Sequence, residues 1–107
     1  MPISINEKKA LAALRSALQE KQYLIEIKVF GSKARETDSP ESDLDVMIVL
    51  QDLSPAIESE IDDLIFEINL EYSCLITALF FSREELERGP LTESPVYKKI
   101  LQEGIPL

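Results

Sequence analysis

The seven residues Leu44-Asp45-Val46-Met47-Ile48-Val49-Leu50 constrain the fold more than any other segment. A nearly continuous apolar run of this length is expected of a central strand covered on both faces. A carboxylate inside such a run is costly unless it is paired or bound to a metal. Asp43 precedes Asp45 by two positions. Residues i and i+2 of a strand point to the same face, so the two carboxylates aim at one point.

The rest of the chain supplies the partners such a strand needs. Tyr23 to Phe30 alternates, with Ile25, Ile27 and Val29 on one side and Glu26 and Lys28 on the other, which predicts a half-buried strand. Ser4 and Glu7 have the spacing of a capping box. Leu11, Leu14 and Leu18, with Ala10 and Ala17, then recur on one helical face to about Gln22. Ser54-Pro55 starts a second helix, whose Ile57, Ile61, Leu64, Ile65 and Ile68 follow at helical spacing. Cys74 to Phe81 reads as a third strand, and Ser82 with Glu85 as another capping box. Gly89-Pro90 ends that short helix, Ser94-Pro95 opens a last one, and Gly104 closes it. The order α-β-turn-β-α-β-α-α predicts an α/β (α+β) fold, a small mixed sheet flanked by helices.

At 107 residues the chain is expected to be one domain, residues 1–107, large enough for a core without staples. The single cysteine, Cys74, excludes a disulfide framework within the chain and suits a reducing cytoplasm. The absence of histidine excludes His-based zinc sites and Ser-His-Asp or Cys-His catalysis. No segment approaches the roughly 20 apolar residues of a membrane span. Met1-Pro2-Ile3-Ser4 lacks the character of a signal peptide. A net charge of −9 opposes direct polynucleotide binding. The one basic cluster, Lys28, Lys33 and Arg35, is too small for a nucleic-acid track but suits a single triphosphate.

That cluster flanks a turn, Gly31-Ser32, at the end of the first strand. Gly31 lets the backbone approach a phosphate closely, and Ser32 adds a hydroxyl. A short helix from Ser32 to Arg35 would offer free N–H groups to an anion. Lys33 or Arg35 could offset phosphate charge, with Arg35 favoured. Asp43 and Asp45 supply the hard oxygen ligands that Mg²⁺ prefers. Two such ions about 3.5–4 Å apart can stabilise both the attacking and the leaving oxygen of an in-line displacement.

Ten residues separate Ser32 from Asp43, and Gly-Ser, ten residues, then Asp-x-Asp is a combined pattern of high specificity. With Val29-Phe30 before it and Lys33-Ala34-Arg35 after it, the chain resembles the minimal nucleotidyltransferases of the DNA polymerase β superfamily. Ser82-Arg83-Glu84-Glu85-Leu86 and Ile100 to Ile105 are similar to the end of one bacterial branch. The resemblance implies a polymerase-β-like nucleotidyltransferase fold and Mg²⁺-dependent transfer of AMP from ATP to a hydroxyl. In small bacterial members it implies an antitoxin that adenylylates a tyrosine of a HEPN-domain ribonuclease toxin, in a possible hetero-oligomer. It assigns metal binding to Asp43 and Asp45 and phosphate binding to Gly31 and Ser32. Asp43, Asp45 and Arg35 are then the candidate catalytic residues, and Gly31, Ser32, Lys33 and Arg35 the candidate nucleotide-binding residues.

Two departures stand out. Glu36 replaces the glycine the family usually has after the arginine, and adds negative charge near the phosphate loop. Full enzymes also place a third carboxylate on the next strand, whereas Cys74 to Phe81 contains no acid, and Thr77 is its only oxygen-bearing side chain. Glu71 and Glu26 lie near in sequence but do not match the family position. Three readings therefore stay open: a protein-modifying transferase, a degenerate module that neutralises a partner by binding alone, and a transferase for a small molecule. The short chain favours an acceptor carried on a macromolecule. Asp62-Asp63 reads as a solvated pair, since adjacent helical residues do not face each other. Cys74 reads as a buried small residue, and Tyr23, Tyr72 and Tyr97 as core or rim.

Overall fold

The computed structural model describes residues 4–21, 24–31, 43–88 and 94–107. In chain order these form α1 (Ile5–Glu20), β1 (Leu24–Phe30), β2 (Leu44–Leu50), α2 (Pro55–Tyr72), β3 (Ile76–Ser82), α3 (Arg83–Arg88), α4 (Pro95–Glu103) and β4 (Ile105–Pro106). The strands make one mixed sheet in the order β3-β2-β1-β4. β2 runs parallel to β3 and antiparallel to β1, and β1 is antiparallel to β4. The parallel pair is joined through α2, the long crossover that parallel strands need.

The helix starts follow the sequence closely. Ser4 Oγ accepts from the Glu7 N–H while Glu7 Oε1 accepts from the Ser4 N–H. Ser82 and Glu85 repeat that reciprocal pair at α3. Ser54 caps α2 and Ser94 caps α4, each with proline at the first turn. Each cap satisfies N–H groups that have no partner within the helix.

The alternation of β2 separates two apolar layers. Leu44, Val46, Ile48 and Leu50 face α1 and α2, where they meet Leu14, Leu18, Ile61, Ile65 and Ile68. Met47 and Val49 face the other way, onto Phe81 and Ile100, with Phe30, Leu86 and Tyr97 packed around them. The Tyr97 ring lies 5.7 Å from that of Phe81, centroid to centroid. β2 is thus the central strand its composition predicts, covered on both faces.

Three details differ from the sequence reading. Ile25 is 45% exposed rather than aligned with Ile27 and Val29. The register shifts between Leu24 and Glu26, so a bulge turns Ile25 outward and Leu24 packs on the core instead. The third strand begins at Ile76, not Cys74, because Ser73 takes a left-handed conformation (φ 52°) to end α2 and the chain needs Cys74 and Leu75 to turn back. β4 was not anticipated: two residues, one of them proline, give no strand pattern, yet Pro106 and Ile105 pair with Lys28 and Val29. Proline is tolerated there because β4 is an edge.

Candidate functional site

The parity that sends Met47 and Val49 away from α1 and α2 sends Asp45 the same way. Asp45 stands opposite Phe30 on β1 and opposite Thr77 on β3. Thr77 Oγ1 donates to Asp45 Oδ1 at 2.6 Å. The other carboxylate oxygen, Oδ2, faces Gly31, where an added Cβ would lie 2.6 Å from it. Gly31 also has a φ of +76°, a conformation that residues with a Cβ rarely adopt. Glycine at this turn therefore makes room for Asp45, a tighter requirement than the approach to phosphate read from the sequence. Asp43 immediately precedes β2 and is exposed; the strand is pinned beside it by Leu44 N–H donating to Leu75 C=O at 2.8 Å.

Gly31, Asp43 and Asp45 lie at the same end of the β1–β2 pair. Ser32, Lys33, Arg35 and Glu36, the remainder of the phosphate-loop expectation, lie outside the described residues. Lys28, the third member of the basic cluster, is engaged with Glu26 at 3.4 Å and sits opposite Met47. That ion pair also accounts for Glu26, which is on β1 opposite Val49, four residues along β2 from Asp45. Glu71 is exposed near the C-terminal end of α2. Asp62 and Asp63 are both solvated, as their spacing predicts.

Among the described residues no three His, Cys, Asp or Glu side chains group closely enough to hold a metal ion. In donor type and number, Asp43 and Asp45 suit one Mg²⁺. This ion usually takes one or two carboxylates, keeps several waters and completes its shell with substrate phosphates. A cleft of about 420 Å³ lies elsewhere, along Leu11, Arg15 and Gln19 of α1 beside Leu107. It belongs to the helical side of the sheet and contains none of the candidate groups.

Asn69 is a residue the sequence reading missed. Its Oδ1 accepts from the Ile76 N–H at 2.9 Å, and its Nδ2 donates to the Ile76 C=O at 3.2 Å. The same Oδ1 accepts from Cys74 Sγ at 3.6 Å. This side chain fixes where β3 starts, and hence the level at which Thr77 meets Asp45. A polar residue following Ile68 in an amphipathic helix was the only available signal. Cys74 is partly buried, and its thiol pKa is raised, first by that burial and second by the Glu7 carboxylate. It packs at the margin of the core, less buried than its position predicts.

No helix among the described residues is long and apolar enough to cross a membrane. No curated protein sequence matches the chain. Among solved structures, the fold is similar to a toxin–antitoxin with AMP-PNP, at 17% identity and a TM-score of 0.61, covering 95% of this chain and 72% of that one. It is also similar to the toxin–antitoxin MntA-HpeT, at 19% identity and a TM-score of 0.59, covering 97% and 72%. The sequence pattern of the nucleotidyltransferase domain matches residues 11–107. With that match spanning β1, the Gly31 turn, both aspartates and every later element, the chain belongs to the nucleotidyltransferase domain family.

Proposed function

We propose that the chain is a Mg²⁺-dependent adenylyltransferase that moves AMP from ATP to a hydroxyl, a tyrosine by preference, of a HEPN-domain toxin, and so acts as its antitoxin in the cytoplasm. The observation that carries this reading is the pair Asp43 and Asp45 at the mouth of β2, beside a glycine turn shaped around Asp45. The acceptor oxygen attacks the α-phosphorus, the bond to the β-phosphate oxygen breaks, pyrophosphate leaves and the hydroxyl proton passes to solvent. Asp43 and Asp45 hold Mg²⁺ against the phosphates, and the ion supplies neutralisation of their charge. Gly31 and Ser32 cradle the triphosphate, with Lys33 and Arg35 offsetting its charge. Support for a toxin partner comes from the two toxin–antitoxin structures that share the fold.

A second reading has its own observation. The residue facing Asp45 from β3 is the neutral Thr77, which leaves no carboxylate there to activate the acceptor hydroxyl. This favours a degenerate module that neutralises its partner by contact alone. Co-expression with the toxin separates the two. If Asp43→Asn with Asp45→Asn abolishes neutralisation while the pair still co-purifies, transfer is the mechanism; if neutralisation survives, contact suffices.

A further inference from the structure

We infer that the outer face of α2 is the docking surface for the toxin, and that it covers a basic, RNA-binding face of that protein. The inference rests on the reading of the partner as a ribonuclease toxin and adds where the two chains meet.

Three contacts fix the rotation of α2. Ile61, Ile65 and Ile68 are buried in the core beneath the helix. Glu60 is tied to Lys21 at the end of α1. Asn69, on the opposite flank of the helix, holds the backbone of Ile76 on β3. The side turned away from the core carries Phe66 and Leu70, 65% and 68% exposed. Residues four apart are neighbours on a helix, so the two form one apolar ridge. Asp62 and Asp63 stand beside Phe66 by the same rule, and Glu67 beside Leu70, all of them exposed.

Charge names the occupant. α2 carries six carboxylates and no Lys or Arg. Asp63 with Glu67, and Glu67 with Glu71, are like charges at i and i+4, an arrangement that destabilises a helix. Among the described residues no basic side chain pairs with Asp62, Asp63, Glu67 or Glu71. A second copy of the chain would bring the same acids to this face. An anionic membrane or a nucleic acid would bring phosphates. Each of these is repelled. A protein with Lys and Arg around an apolar patch is attracted, and steered to the face from a distance. A ribonuclease has such a surface because it must hold the phosphates of RNA. Carboxylates laid over it exclude the substrate as well as securing the complex. The ridge lies across the sheet from Asp45, so docking there leaves the side that carries Asp45 uncovered.

The test uses the full chain co-expressed with the toxin, defined as the co-purifying protein that cleaves RNA once separated. Affinity is measured at low and high salt for the wild type, for Phe66→Ser/Leu70→Ser and for Asp63→Lys/Glu67→Lys. Circular dichroism melting confirms that each variant is folded. Each variant is expected to bind the toxin about tenfold more weakly or worse. Salt should weaken the wild-type complex and affect Asp63→Lys/Glu67→Lys less. A 2′-O-methyl RNA oligonucleotide, which the toxin cannot cleave, should displace the wild-type chain. Wild-type affinity in both folded variants overturns the inference, as does a ternary complex with RNA. If one variant does not fold, the other decides. Absence of any RNA-cleaving partner on the wild type overturns the toxin reading itself, an outcome distinct from a toxin held equally well by the variants.

Discussion

Gly31 and Asp45 are fitted to each other: a Cβ on the glycine would lie 2.6 Å from Oδ2 of the aspartate. The turn that ends β1 and the acid that enters β2 are therefore one device, assembled by the antiparallel pairing that sets Phe30 opposite Asp45.

The first prediction follows from that fit. Gly31→Ala introduces a Cβ at φ +76° and forces Asp45 to rotate away from it. We expect a loss of about 1–3 kcal/mol in urea unfolding. We also expect weaker binding of Mn²⁺ with α,β-methylene-ATP. Unchanged stability would mean that the turn relaxes freely.

Asn69→Ala removes two hydrogen bonds to the backbone of Ile76 and leaves part-buried polar groups unpaired. The expected cost is about 1–3 kcal/mol in chemical denaturation. Because Asn69 sets the start of β3, the variant should also bind the cation more weakly, although it touches no ligand. A stability loss with full cation affinity would show that the register of Thr77 is fixed by other contacts.

Ile61 and Phe66 lie five residues apart on α2 but in opposite environments, fully buried and 65% exposed respectively. Ile61→Ala should cost about 2–5 kcal/mol through lost burial and a residual cavity. Phe66→Ala should stay within about 0.5 kcal/mol. Comparable values for the two would contradict the orientation of α2 on the sheet.

Burial, and then the Glu7 carboxylate, hold the Cys74 thiol pKa above its ordinary value. The folded thiol therefore keeps its proton to higher pH than the unfolded one. Its contribution to stability is complete below the unfolded pKa and is lost as pH rises through the folded one, on the alkaline limb. Iodoacetamide alkylation of the native protein should reach its half-maximal rate at higher pH than alkylation of the urea-unfolded chain. Coincident midpoints would show that the thiol is solvated.

Much of this arrangement was legible in the sequence because it is written in short-range patterns. Serine caps, apolar periodicity and the six apolar residues around Asp45 each specify local geometry without reference to the rest of the fold. The parity that puts Asp45 on the face of Met47 and Val49 likewise needs only the strand repeat. What stayed hidden depends on contacts between distant segments. The bulge at Ile25 arises from pairing with β2, and β4 exists only because Val29 and Lys28 present a free edge. The roles of Thr77 and Asn69 depend on the register of β3, which no local pattern encodes.

The central claim is nucleotide transfer that depends on the paired aspartates. Its most direct test is incubation of the purified protein with Mg²⁺ and ATP labelled at the α-phosphate, in lysate of its source cells, beside the Asp43→Asn/Asp45→Asn variant. The account predicts a labelled protein band with the wild type alone, at the mass of a partner that co-purifies with it. No labelled band in lysate containing that partner, or equal labelling by the variant, would contradict it.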